Sequence, residues 1–111
     1  MWIYTKQGFI SVVQHQDDSN IVVVRARRFD HLRDVLIAGK VDENKQIIKT
    51  LNGDYPYRSE ITHEEFAKMM SQLANNVTYL NFKNSVVKKT AYEEVLHKTW
   101  AISQDMEKRR R

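Results

Sequence analysis

The chain has 111 residues, no cysteine and a formal net charge of +4. Its length suits one domain burying roughly two-thirds of its unfolded surface, and 41% hydrophobic with 29% charged residues excludes a disordered chain. The lack of cysteine excludes disulfides and thiolate metal sites, and no apolar run is long enough to span a bilayer, so a soluble, cytoplasmic protein is expected.

Trp2 to Thr5 and Phe9 to His15 read as strands, either joined by a turn at Lys6-Gln7-Gly8 or as one strand broken there. Gln16 to Asn20 is a polar turn cluster. Ile21 to Arg27 carries a β-branched run, and its short connection requires antiparallel pairing with the strand before it. Alternation puts Val22, Val24 and Ala26 on the core side, and Ile21, Val23, Arg25 and Arg27 on the other.

A helix follows, with Asp30 as its expected N-cap, Leu32, Val35 and Leu36 on one face, and Gly39 at its stop. Asp42 to Lys45 is a solvated turn. Gln46 to Leu51 reads as a strand, and Pro56 to Ile61 as another with proline at its start. Between them, Asn52-Gly53-Asp54-Tyr55 makes a turn that feeds a stiff Tyr55-Pro56-Tyr57-Arg58.

Thr62 and Glu65 form a capping box, with Ile61 and Phe66 as a hydrophobic staple. The helix they start carries Phe66, Met69, Met70, Leu73 and Val77 at helical spacing, a core stripe rather than a cofactor site. Residues 78–89 read as a connector with room for a helical turn. A second capping box, Thr90 with Glu93, opens a last helix with Tyr92, Val95, Leu96, Thr99, Ile102 and Met106 on one stripe. The order is β-β-α-β-β-α-α, the first strand being split in two or not. It predicts a single α+β domain over residues 1–107, an antiparallel sheet with helices packed on one face, and a basic tail at 108–111. The first six elements match a circularly permuted ferredoxin-like order.

Charge is uneven. Residues 1–80 hold ten Lys/Arg and ten Asp/Glu, whereas residues 81–111 hold eight against four. The excess therefore sits in the C-terminal arm, which ends Lys108-Arg109-Arg110-Arg111. Such an arm can meet nucleic acid or an acidic surface, but four terminal charges give only weak non-specific affinity.

The histidines at 15, 31, 63 and 97 form no metal-ligand spacing. His63-Glu64-Glu65 lies in a first helical turn, where acidic residues are ordinary. There is no nucleophile elbow and no phosphate loop, and no cofactor is implied. Two readings of the cation-aromatic groups compete. Arg25, Arg27, Tyr55, Tyr57, Arg58, Asn81, Phe82 and Lys83 could form a binding surface, the rings giving rigid contact and the cations fixing an anionic group. Alternatively Arg25 and Arg27 pair with acids such as Glu60, and the rings are core lids.

Three blocks, Met1-Trp2-Ile3-Tyr4-Thr5-Lys6-Gln7-Gly8-Phe9-Ile10-Ser11-Val12-Val13, Asp54-Tyr55-Pro56-Tyr57-Arg58 and Tyr79-Leu80-Asn81-Phe82-Lys83, resemble those of a family of short, uncharacterised bacterial and phage proteins. The Arg25-Ala26-Arg27 strand stands between the first two, as in that family. The resemblance implies that Trp2, Phe9, Arg25, Arg27, Tyr55, Tyr57, Arg58, Asn81, Phe82 and Lys83 form one constellation. The tail at Lys108 to Arg111 is not part of the pattern.

These readings predict a small non-catalytic binding or accessory protein that engages a protein partner, for example as a phage-type inhibitor or regulator of a host enzyme. The alternative is a nucleic-acid-binding protein, or a metal-independent nuclease using His63 or His15 as acid/base. An exposed edge strand or the last helix could also form a homodimer.

Overall fold

The computed structural model describes residues 1–51 and 53–108, with the backbone alone at Lys108. The fold is α+β, built on an open five-stranded antiparallel sheet of order β1-β2-β3-β5-β4. The strands are β1 (Trp2–Tyr4), β2 (Phe9–Gln14), β3 (Ile21–Ala26), β4 (Ile48–Lys49) and β5 (Tyr57–Thr62). The helices are α1 (Phe29–Ala38), α2 (His63–Asn75), α3 (Phe82–Ser85), α4 (Thr90–Ser103) and α5 (Asp105–Lys108). The order β2-β3-β5-β4 is the one expected for a permuted ferredoxin-like arrangement. The chain forms two compact units, Met1–Thr78 and one beginning at Tyr79.

In the first unit the opening strands are a true hairpin. Thr5 and Gly8 exchange backbone hydrogen bonds of 2.9 and 3.2 Å, and the Thr5 hydroxyl accepts from the Gln7 and Gly8 amides. The β2–β3 turn closes on His15, whose Nδ1 accepts from the amides of Asp17 and Asp18. The β-branched run of β3 makes it the central strand, paired with both β2 and β5.

The core lies on one face of the sheet. Ile10, Val12, Val22, Val24, Ala26 and Ile61 pack there with Leu32, Val35 and Leu36 of α1 and Met69 of α2. Phe66, Met70 and Leu73 join them at helical spacing. Val77 does not, because α2 ends at Asn75 and leaves it exposed.

Several local expectations are corrected. Helix α1 begins at Phe29 after Arg28, so Asp30 lies inside the first turn. Gly39 has an ordinary φ of −81°, and the left-handed residue is Lys40 at φ 55°. Lys40 and Val41 donate back to the carbonyls of Ile37 and Leu36, the paired bonds of a Schellman stop. Glycine is needed at 39 for another reason: a Cβ there would stand 2.2 Å from Met69 Cγ. Strand β4 shrinks to two residues, and β5 starts after Pro56 and extends to Thr62.

In the second unit, α4 starts at Thr90, but its cap residue is Lys89. The Glu93 carboxylate reaches back to the Lys89 amide at 3.2 Å, so the expected Thr90 box is formed one residue early and by half. Tyr92 and Leu96 of its stripe are buried, while Val95, Ile102 and Met106 are exposed. No helix among the described residues is long and apolar enough to cross a membrane.

Candidate functional site

Helices α1 and α2 cover one face of the sheet, and alternation sends a different set of side chains to the other. Strand register aligns five of them in a row across all five strands. Trp2 stands opposite Ser11, Ser11 opposite Arg25, Arg25 opposite Arg58, and Arg58 opposite Ile48. The row is apolar at both ends, where Trp2 is 68% and Ile48 50% exposed. Its middle is a serine and two facing arginines.

Arg25 is held from two sides. Its Nη2 donates to Ser11 Oγ at 2.7 Å, and its guanidinium lies 4.5 Å from the centroid of the Tyr55 ring. Arg27 approaches the same ring at 4.9 Å and donates to the Asp54 carbonyl at 3.4 Å. Tyr55 is therefore a platform for two cations, a geometry in which the ring quadrupole attracts each charge. The ring is 8% exposed because the Pro56 segment lays it on the sheet beside Phe9, at a centroid distance of 6.4 Å. Phe9 stacks on Tyr4 at 4.5 Å and meets Trp2 edge-on at 6.0 Å. An aromatic cluster thus borders the arginines.

Among the described residues, no ion pair joins Arg25, Arg27 or Arg58 to a carboxylate. The Nε atoms of Arg25 and Arg58 are buried without a hydrogen-bond partner. The expected pairing with Glu60 does not form: register sets Glu60 opposite Val23, and its carboxylate lies 3.6 Å from His15 Nε2. Like charges directly opposed on neighbouring strands destabilise a sheet, so Arg25 and Arg58 raise the energy of this face.

Tyr57, Asn81, Phe82 and Lys83 are not members of this row. Tyr57 points to the helix-covered face, edge-on to Phe29 at 5.9 Å, with the Lys49 ammonium 5.8 Å from its ring centroid. Asn81 caps α3 by accepting from the Asn84 amide at 3.1 Å. Phe82 packs on Tyr79 at 5.6 Å, and the Lys83 ammonium lies 4.9 Å from the Trp100 ring. These three residues belong to the second unit, each with a local structural contact. The Lys108 side chain and residues Arg109, Arg110 and Arg111 lie outside the described residues.

Sequence reasoning missed Ser11 and Ile48. Each is ordinary alone, and the register alone aligns them with the arginines. The parity of Tyr57 was readable, since it shares a face with Ile61, the staple residue. Among the described residues no three His, Asp or Glu side chains are grouped to hold a metal ion. His15 Nδ1 is engaged by its own turn, and among the described residues no hydrogen bond joins His15 or His63 to the three arginines. Comparison of the chain with protein-family models, curated proteins and solved structures found no match to any of them.

Proposed function

We propose that this is a small non-catalytic binding protein that engages a protein partner through the sheet face carrying Trp2, Phe9, Arg25, Arg27, Tyr55 and Arg58. The observation behind this reading is the row of two facing arginines without acidic partners, flanked by exposed apolar side chains. Rigid aromatics and arginine are the residue types that anchor protein interfaces. Arginines without an ion pair, two of them with a buried and unbonded Nε, invite an anionic group from outside.

The nucleic-acid reading draws on the same rings and cations. Two features weigh against it. The first 80 residues balance ten basic against ten acidic side chains, so the part of the chain that carries this face adds no net long-range attraction of the kind such binders rely on. Glu60, 52% exposed at its side chain, shares this face two residues along β5 from Arg58, where it would repel a phosphate chain.

Affinity capture from a native host tests the proposal. Wild type is expected to retain a protein that both Trp2→Ala and Arg58→Glu release, with the two variants matching wild type in circular dichroism. Retention by both folded variants at the wild-type level would refute the proposed face.

A further inference from the structure

We infer that the Arg25–Arg58 pair is a seat for one carboxylate, supplied by an aspartate or glutamate of the partner, with apolar groups of the same segment on Trp2 and Ile48. The inference rests on the protein-binding reading and specifies its chemistry.

Three observations converge. First, register opposes the two arginines directly, which puts two forked donors at adjacent positions on one sheet face. A carboxylate accepts such forks in bidentate fashion. Second, the Ser11 hydroxyl and the Tyr55 ring fix the Arg25 guanidinium before any ligand arrives, so little ordering remains to be done on binding. Third, the unliganded face holds an uncompensated like-charge pair. A single carboxylate relieves that repulsion, giving the ligand a gain that a neutral isostere does not receive.

The size of the seat selects one acid rather than a polyanion. Glu60 lies two residues along β5 on the same face, and His15 is engaged with it. Negative charge is therefore accepted at Arg25 and Arg58 and opposed farther along the strand.

The test uses the full chain and three defined probes. One is a synthetic heptapeptide with glutamate third and leucine first and seventh, positions that share one side of an extended segment. The second has glutamine in place of glutamate, and the third is a deoxythymidine hexamer. Hydrogen bonds to a charged group contribute roughly 1.5–3 kcal/mol, so the glutamate peptide should bind about tenfold or more tightly than the glutamine peptide. Arg58→Gln should abolish that preference while raising the melting temperature of the unliganded protein. Arg25→Lys, which keeps the charge and loses the fork, should reduce the preference without inverting it.

Equal binding of the two peptides, no binding of either up to millimolar concentration, or tighter binding of the oligonucleotide overturns the carboxylate seat. An Arg58→Gln variant that melts lower than wild type and keeps the preference overturns it as well. If the peptides bind equally but Trp2→Ala weakens both, the seat fails while the binding face stands. If native capture is insensitive to Trp2 and Arg58, the face itself fails.

Discussion

The side chain of Glu65 shows how a single residue couples to its surroundings. Its carboxylate accepts from the Thr62 backbone amide at 2.8 Å, the Thr62 hydroxyl accepts from the Glu65 amide at 3.0 Å, and Lys45 pairs with the carboxylate at 3.0 Å. The hydrogen bond from the Thr62 backbone is the main cause that draws the Glu65 carboxyl below its ordinary value, and Lys45 adds to it. A carboxyl with a lowered folded-state pKa adds stability that is complete above the ordinary carboxylate range. That stability is lost as pH falls through the lower folded value. Thr62→Ala should therefore cost about 1 kcal/mol at neutral pH, and Glu65→Gln should be less stable than wild type there. The gap between Glu65→Gln and wild type should close as denaturation is repeated at successively more acidic pH. A gap constant from neutral to strongly acid pH would contradict this account.

At the scale of elements, the turn after α1 divides two jobs between neighbouring residues. Gly39 lets α1 approach Met69 of α2, and Lys40 takes the left-handed conformation. Gly39→Ala should destabilise by about 1–3 kcal/mol, because Met69 is fully buried and has no room to yield. Lys40→Gly should instead stabilise by up to about 1 kcal/mol, since a side chain is penalised in that conformation. Urea denaturation of both variants checks the pair, and the opposite order of stabilities would rule out this division of roles. A sequence reading assigns the stop to glycine, as its conformational freedom suggests. It has no access to the approach of α2, which comes from packing between residues 30 positions apart. The same limit appears at Thr90, whose expected box depends on where the backbone turns helical. It does not appear at Thr62, where cap, staple and acid are contiguous and all legible.

For the whole molecule, element order and hydrophobic alternation specify the α+β class and the antiparallel sheet. The β-branched run of Ile21 to Val24 also marks the strand that becomes central. The candidate site is only partly legible. Arg25, Arg27, Tyr55 and Arg58 stand out by residue type, and Trp2 and Phe9 through their shared block. Their alignment with Ser11 and Ile48 depends on register between distant strands, which no local pattern encodes. The separation of Asn81, Phe82 and Lys83 into another unit is likewise a property of the folded chain. Charge balance is a whole-chain property that the sequence does show, and it bears on association. With one carboxylate accepted rather than a line of phosphates, raising salt from 50 to 200 mM should weaken partner binding less than the about 10³-fold or greater loss typical of multi-phosphate contacts. A loss of that size in a binding titration would favour the nucleic-acid reading instead.

The cross-strand row also acts as a ruler. Neighbouring strands are about 4.8 Å apart, so the midpoint between Arg25 and Arg58 lies about 7 Å from Ile48 and about 12 Å from Trp2. An extended segment advances about 3.3 Å per residue. It would reach Ile48 about two residues to one side of its acid, and Trp2 about four residues to the other, both offsets being even as side-chain alternation requires. The sheet therefore measures a lopsided spacing, with the acid nearer one apolar residue than the other. Sliding the glutamate of such a heptapeptide from the third position to the second, with leucine kept at both ends, would turn its carboxylate to the side of the segment opposite the leucines and away from the arginines. Strand spacing, a quantity set by backbone hydrogen bonds, would then determine which sequences this face accepts.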